Sequence, residues 1–88
     1  MAYLDAYFSG RVQGVGFRYS TLQIARGYEA AGYVSNLVDG RVRLEVEGDG
    51  VELTAFLEEI EDQLSVFIRE TEVRRGERPR SFQDFLIV

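Results

Sequence analysis

The 88-residue sequence contains no cysteine, no histidine and no lysine. Without cysteine, disulfides, thiolate nucleophiles and thiolate metal sites are excluded. The absence of histidine excludes Ser-His catalytic triads, phosphohistidine chemistry and metal sites built on imidazole. Any chemistry that the protein performs must therefore use arginine, carboxylates, amides, hydroxyls or the backbone itself.

Long apolar segments are also missing from the sequence. No run approaches the ~18 residues that a membrane-spanning helix needs, and the first residues show no signal-peptide pattern. We therefore expect a cytoplasmic protein with no membrane partner. A chain of this length with 45% hydrophobic residues is typical of a single domain, which we place over residues 1–88 and expect to be a monomer.

The chain is acidic overall but basic in two places. Ten arginines oppose fifteen carboxylates, which gives a net charge of −5. Residues 6–28 nevertheless contain three arginines and no carboxylate, and residues 74–80 contain four arginines and one glutamate. An acidic protein is a poor general binder of nucleic acid, whereas a basic island can attract a small anion. We expect residues 74–80 to form a solvated loop; a docking patch for an acidic partner is the alternative.

The pattern of apolar residues predicts five strands and two helices. In chain order they are a strand at 3–9, a helix at 17–31, strands at 33–38 and 41–47, a helix at 51–64, a strand at 66–74 and a short strand within 82–88. Gly32 is placed to end the first helix, and Asp49 is placed to cap the second. Asp39 and Gly40 predict a tight hairpin turn.

This order of elements predicts a ferredoxin-like sandwich. It is an α+β fold in which an antiparallel sheet (βαββαβ plus a short C-terminal strand) carries two helices on one face. The strand at 41–47 alternates cleanly, so Glu45 and Glu47 are expected on a face in water, with no role assigned. RNA-binding domains share this fold, but the sequence shows none of their aromatic strands, so we expect no nucleic-acid partner.

The stretch GRVQGVGFR, residues 10–18, precedes the first predicted helix. Glycines allow its N–H groups to converge on an anion, and the following helix N-terminus favours negative charge. Arg18 adds a planar guanidinium suited to two phosphate oxygens. Nucleotide motifs fail: a P-loop needs lysine, and Tyr19 stands where a dinucleotide motif read from Gly14 needs glycine. An ordinary turn beside a solvated arginine explains the same spacing, so the residues alone leave both interpretations open.

The same stretch resembles the signature of the acylphosphatase family. GYVSNLVDGRV, residues 32–42, resembles that family's second block, a strand with an asparagine before an Asp-Gly hairpin. The resemblance covers most of the chain and implies the ferredoxin-like fold and hydrolysis of carboxyl–phosphate anhydrides. It further implies that Arg18 clamps the phosphate and that Asn36 positions the attacking water. The resemblance assigns the phosphate cradle to the backbone amides of six residues: Gln13, Gly14, Val15, Gly16, Phe17 and Arg18.

Three features depart from the family pattern. Tyr33 stands where a tryptophan is common, residues 62–70 lack a Gly-Pro turn often seen after the second helix, and residues 74–80 are unusually rich in arginine. None of these departures touches Arg18 or Asn36. Without the first block, Asn36 would be interpreted as a strand-end residue that satisfies the turn backbone.

The chemistry implied by the resemblance needs neither histidine nor lysine. An acyl phosphate leaves as a carboxylate whose conjugate acid has a pKa of about 4, so no strong general acid is required. Phosphoryl transfer mainly requires positioning and charge compensation, and a clamped phosphate can itself accept the proton from water. An arginine, several amides and an asparagine therefore suffice for this substrate, with no cofactor and no metal, but not for an alkyl phosphate monoester.

We accordingly expect an enzyme that takes a small acyl phosphate and releases inorganic phosphate. The alternative is a non-catalytic phosphate-binding or regulatory module of the same fold. It would be akin to the acylphosphatase-like domains of carbamoyl-transfer proteins.

Overall fold

The computed structural model describes residues 1–88, which form five strands and two helices. In chain order they are β1 (Ala2–Gly10), α1 (Phe17–Ala25), β2 (Ala30–Asn36), β3 (Val42–Gly48), α2 (Gly50–Gln63), β4 (Ile68–Glu77) and β5 (Phe85–Ile87). The sheet order is β4-β1-β3-β2-β5, with every pair antiparallel except β2 and β5. The predicted ferredoxin-like sandwich is confirmed, although the parallel β5 makes the sheet mixed.

The core lies between the sheet and the two helices, neither of which is both long and apolar enough to cross a membrane. Alternate residues of β1 and β3 face the helices and are fully buried: Leu4, Ala6, Phe8, Val42, Leu44 and Val46. Each helix covers them with residues at helical spacing, chiefly Phe17 and Ile24 from α1 and Leu53, Phe56 and Ile60 from α2. Full burial of one such side chain contributes roughly 1.5–3 kcal/mol, so this cluster fixes both helices on the sheet.

Helix α1 begins where the sequence predicts but ends well before residue 31. Its last residue is Ala25, and the backbone N–H groups of Gly27 and Tyr28 donate to the carbonyls of Ile24 and Ala25, both at 3.0 Å. These bonds close the helix with tight turns and free the chain to enter β2. Gly27 therefore lies after the helix, so the low helix propensity of glycine does not destabilise α1.

Gly32 is a strand residue, so its predicted role as the end of α1 was wrong. A Cβ added to Gly32 would lie 1.8 Å from the backbone oxygen of Glu45, because the backbones of the paired strands β2 and β3 approach closely at this position. Only glycine allows this approach of the two backbones. The position requires glycine because of a neighbour distant in sequence, which local helix-ending rules do not register.

The β2–β3 hairpin turns at Asp39 and Gly40, as predicted. Gly40 has a φ of 95°, in the region that glycine favours, and Leu37 N–H donates to the Arg41 carbonyl at 2.8 Å. The Asp39 carboxylate accepts from the backbone N–H of Arg41 at 3.1 Å and from its Nε at 2.9 Å. These hydrogen bonds hold the pKa of Asp39 below its ordinary value.

Asp49 caps α2 as the sequence predicts, because its Oδ1 accepts from the backbone N–H of Val51 at 2.8 Å. We expect Asp49→Ala to lower the free energy of unfolding by about 1 kcal/mol, the usual effect of losing such a cap. A shift of the urea midpoint at unchanged slope measures it. Asp62→Ala, on the exposed surface of the same helix, is the control and should not lower stability; an equal loss in both variants would contradict the capping role.

Only residues 78–80 of the arginine-rich segment 74–80 form the predicted loop, and the prediction was wrong for residues 74–77. β4 continues to Glu77, which pairs with Ala2 of β1, so Arg74 and Arg75 are residues of an edge strand. Charged side chains are common on exposed edge strands because they discourage pairing with other chains. The composition of such an edge resembles that of a loop, which explains the error.

The sequence predicts that the helix-free face of the sheet is open to water, but part of this face is covered in the structure. Glu47 is only 1% exposed, because residues 78–84 pass over it. Its Oε1 accepts from the backbone N–H groups of Ser81 at 2.7 Å and Phe82 at 2.5 Å. The alternation of β3 correctly assigned Glu47 to this face, but it carried no information about the segment that covers it.

Charged and aromatic side chains pack together on this same face. Arg43 donates from Nε and Nη2 to both carboxylate oxygens of Asp5, at 3.0 and 3.1 Å. Burial and a hydrogen bond to Glu45 raise the pKa of Tyr33 to about 12. Burial alone would raise the pKa of Glu45, but hydrogen bonds from Tyr33 and Arg78 outweigh it and lower that pKa. The helix-free face therefore carries a network of ion pairs and hydrogen bonds, and the Tyr33 hydroxyl belongs to this network.

Candidate active site

The loop between β1 and α1 has the backbone of an anion-binding nest. Gly14 and Gly16 have φ angles of 74° and 77°, and Gly16 is the N-cap of α1. A Cβ at either position would meet no atom within 4 Å, so the backbone angle and not crowding requires glycine there. Left-handed residues interspersed with ordinary ones turn successive N–H groups towards one side.

The amides predicted to form the cradle are not consumed by secondary structure. The backbone N–H groups of residues 12–16 donate to no protein acceptor. Those of Phe17 and Arg18 lie in the first turn of α1, where no intrahelical acceptor exists. The first helical bond runs from Ser20 N–H to the carbonyl of Gly16, at 2.9 Å. Hydrogen bonds within the protein therefore use none of the predicted donors, although Gln13 and Val15 do not line the cavity described next.

A cavity of about 190 Å³ brings Arg18 and Asn36 together. Asn36 is the last residue of β2 and lies two residues after the buried Val34, so both face the helices. Gly14 and Gly16 also line the cavity. Its apolar wall is formed by Val12, Phe17, Tyr19 and Ile87.

A larger cavity, of about 410 Å³, lies at the opposite end of β2, near Ala30 and Phe85. It contains none of the residues predicted for the site and none of the free loop amides. No grouping of three or more acidic side chains suited to a metal ion occurs in the structure. The cavity of about 190 Å³ is therefore the candidate site, because an anion site is recognised by its hydrogen-bond donors and positive charge and not by its volume.

Arg18 is half-buried, and its guanidinium is held by a contact with the last residue of the sequence that no sequence pattern indicated. Its Nη1 donates to the backbone oxygen of Val88 at 3.3 Å, and Ile87 of β5 forms part of the cavity wall. β5 reaches this place because it pairs in parallel with β2. The final strand was predicted, but no local signal in its sequence indicates which edge of the sheet it joins.

The side chain of Gln13 does not face the cavity with its amide. Its Nε2 donates to the carbonyls of Leu37 at 2.8 Å and Arg41 at 3.0 Å, which ties the loop to the β2–β3 hairpin. Gln13 does not line the cavity, and its side-chain amide is used within the protein. Its side chain fixes the loop relative to Asn36, a role that the sequence analysis missed.

The fold and the loop define the class of protein as a ferredoxin-like sandwich with an anion site between β1 and α1. Comparison with known proteins identifies the family. The sequence model of the acylphosphatase family matches residues 4–87. The chain therefore belongs to the acylphosphatase family, as its two sequence blocks predict.

Individual relatives agree with this assignment. The acylphosphatase of Archaeoglobus fulgidus is 42% identical over 78 residues, which are 88% of each chain. The crystal structure of acylphosphatase from Bacillus subtilis covers all of this chain and 99% of its own, with a TM-score of 0.89 and 31% identity. The crystal structure of full-length HypF in the phosphate- and nucleotide-bound form also covers all of this chain, with a TM-score of 0.82 and 33% identity. The match takes up only 12% of that chain.

Proposed function

We propose that the protein hydrolyses the carboxyl–phosphate bond of small acyl phosphates, with carboxylate and inorganic phosphate as products. Membership of the acylphosphatase family supports the activity. The observation that carries the assignment of the site is the single cavity shared by Arg18, Asn36 and the glycines of the loop. In this proposal each group has one role, and none of them has to gain or lose a proton.

The loop and Arg18 hold the phosphoryl group. The free N–H groups of residues 13–18 donate to the non-bridging phosphate oxygens, and the helix N-terminus adds a favourable partial charge. The guanidinium of Arg18 supplies two parallel donors and a full positive charge. Together they compensate the negative charge that spreads over these oxygens as the bond to the leaving group breaks.

Asn36 holds the attacking water. Its carboxamide lines the same cavity and can orient one water towards the phosphorus, opposite the leaving carboxylate. The oxygen of that water forms the new bond to phosphorus. Its proton passes to a phosphate oxygen, and the electron pair of the broken P–O bond leaves on the carboxylate. No protein base is needed because a phosphate oxygen accepts the proton, and no protein acid is needed because the carboxylate leaves as a stable anion.

The wall of the cavity suits a small apolar acyl group. Tyr19 and Ile87 contribute apolar surface beside the anion site, whereas Val12 and Phe17 line the cavity but are almost completely buried. Tyr19 is 63% exposed at the rim, where an aromatic ring of the substrate can stack on it. Benzoyl phosphate combines the reactive anhydride with such a ring and is therefore a suitable test substrate.

The test compares benzoyl phosphate with phenyl phosphate, which has a similar ring and the same phosphoryl group. Phenolate is the anion of an acid with a pKa of about 10, a far poorer leaving group than benzoate. We expect benzoyl phosphate to be hydrolysed at least about 10³-fold faster in kcat/KM, since each 1.36 kcal/mol of barrier is tenfold in rate. Inorganic phosphate should compete with it. Equal rates for both substrates would contradict the proposed mechanism.

A non-catalytic phosphate-binding module is the second candidate function. It is favoured by the match to one part, 12%, of the HypF chain, where the same fold occurs within a much larger protein. Binding of phosphate without any hydrolysis of benzoyl phosphate would support this candidate against the first.

The contacts of the Gln13 side chain lead to a separate prediction. Gln13→Ala removes the two hydrogen bonds that fix the loop against Leu37 and Arg41. We expect kcat/KM for benzoyl phosphate to fall about tenfold, because each such bond contributes about 1 kcal/mol and the loop amides lose their alignment. Gln23→Ala, on the exposed surface of α1, is the matched control and should stay within about twofold of wild type. Equal activity in the two variants would remove this role from Gln13.

The remaining expectations belong to this proposal as well. We propose that residues 1–88 act as one domain, as a monomer and in the cytoplasm. Light scattering on the purified protein tests the monomer, with the mass of a single chain as the expected result. Fractionation of the source cells tests the location.

A further inference from the structure

The most deeply buried carboxylate of the protein lies far from the candidate site. The side chain of Glu47 has no exposed surface. In the sheet register Glu47 lies between Tyr3 of β1 and Ala31 of β2, towards the opposite end of β2 from Asn36. Burying a charge is costly unless the charge is paired and hydrogen-bonded, so such a residue calls for an explanation.

Glu47 fastens residues 78–84 to the helix-free face of the sheet. Its Oε1 accepts from two consecutive backbone N–H groups, those of Ser81 and Phe82. Its Oε2 lies 3.8 Å from Nε of Arg78, whose guanidinium is 4.4 Å from the centre of the Tyr3 ring. Charge-assisted bonds to consecutive amides fix both the position and the direction of this segment.

The fastened segment leads directly into β5. Beyond Phe82 the chain reaches Asp84, whose carbonyl accepts from Gly32 N–H at 2.9 Å, and β5 then runs beside β2. Val88 N–H donates to the carbonyl of Val34 at 3.0 Å. β5 has three residues and one neighbouring strand, so its own ladder holds it weakly. Its place in the sheet depends on how the preceding segment is anchored.

β5 is also the element that touches the candidate site. Ile87 lines the cavity, and the backbone oxygen of Val88 accepts from Nη1 of Arg18. A continuous series of contacts therefore runs from Glu47 through residues 81–84, β5 and the adjoining Val88 to the guanidinium. A guanidinium that is already oriented loses less conformational freedom when phosphate binds.

We propose that Glu47 is a positioning residue for phosphate binding: it anchors β5, and β5 orients Arg18. The proposal rests on the proposed function for its kinetic readout only, because anchoring of β5 and binding of phosphate are measurable without turnover. Glu47 touches neither substrate nor water in this scheme. Its contribution lies in the binding step, since the orientation of Arg18 is fixed before the chemistry starts.

The test uses Glu47→Gln, which keeps the size of the side chain and removes its charge. We expect the amides of residues 85–88 to exchange their hydrogens about tenfold faster, because weaker anchoring lets β5 open more often. The KM for benzoyl phosphate and the Kd for inorganic phosphate should each rise about tenfold, within the hundredfold that a misplacement of about 1 Å can cost. The value of kcat should stay within about threefold.

Glu45→Gln is the matched control. Glu45 lies on the same strand and face and pairs with Arg78, with its Oε2 2.7 Å from Nη2, but it accepts from no amide of residues 81–82. Hydrogen exchange in β5 and the Kd for phosphate should stay within about twofold of wild type in this variant. Equal effects in the two variants would overturn the proposal, since they would reflect general loss of charge on the face.

A second variant keeps the proposal testable if Glu47→Gln folds poorly. Ser81→Pro removes one of the two amide donors and leaves the sheet residues unchanged. It should also raise hydrogen exchange in β5 and the Kd for phosphate. A lowered melting temperature with unchanged exchange and unchanged phosphate affinity would show that Glu47 is merely structural. If the wild-type protein does not hydrolyse benzoyl phosphate, the proposed function is refuted instead. The hydrogen-exchange and Kd measurements would still decide whether Glu47 positions Arg18.

Discussion

Replacing Arg18 with alanine is expected to lower kcat/KM for benzoyl phosphate by about 10³-fold. The substitution removes the only charged side chain that lines the cavity. Loss of one oxyanion donor typically costs 10²–10³-fold in rate, and a charged bidentate donor belongs at the upper end of that range. The loss corresponds to about 4 kcal/mol of transition-state stabilisation. Because Arg18 also binds the ground state, KM should rise as kcat falls, and steady-state kinetics measure both.

Two further variants sharpen this prediction. Arg18→Lys keeps the charge but not the planar pair of donors, so it should recover only part of the activity and stay about tenfold or more below wild type. Arg11→Ala is the control, since Arg11 is an exposed arginine of the same loop that does not line the cavity. It should stay within about threefold of wild type. If Arg11→Ala and Arg18→Ala lose activity equally, the loop attracts anions only through its overall charge.

Replacing Asn36 with alanine should lower kcat by about 10²-fold or more and leave KM nearly unchanged. In the proposed mechanism the carboxamide orients water and does not hold the phosphate, so its interaction matters only on the way to the transition state. Titration with inorganic phosphate should give the affinity of wild type.

The control for Asn36 comes from the preceding residue. Ser35 lies on the same strand but points to the opposite face of the sheet, so Ser35→Ala should change kcat by less than about twofold. A rise in KM without a fall in kcat for Asn36→Ala would make Asn36 a binding residue. That result would leave the attacking water without a holder.

Features that depend on local chemistry were predictable from the sequence. Gly14 and Gly16 adopt the left-handed angles that a nest requires, Asp39 and Gly40 form the hairpin, and Asp49 caps α2. In each case the residue type and its immediate neighbours determine the conformation. The sequence patterns therefore located the loop, the turn and the starts of both helices.

Features that depend on distant neighbours were not predictable in the same way. Gly32 owes its place to the backbone of Glu45 across the sheet, and Glu47 is buried by a segment more than thirty residues further along the chain. The arrangement of Arg18 beside Asn36 came from the resemblance to a family and from no periodicity. The contact between Arg18 and Val88 had no sequence signal, since it depends on the edge that β5 joins.

The position of β1 within the sheet has a consequence for biosynthesis. β1 is made first and lies in the interior of the sheet, yet its two partners are β3 and β4, which are made much later. The backbone of β1 therefore lacks its last neighbouring strand until Glu77 has left the ribosome. Folding dominated by such distant pairings is slow, on the order of milliseconds to seconds. During that interval the apolar side chains and unpaired backbone of β1 are exposed, and transiently exposed surface of this kind is prone to aggregation.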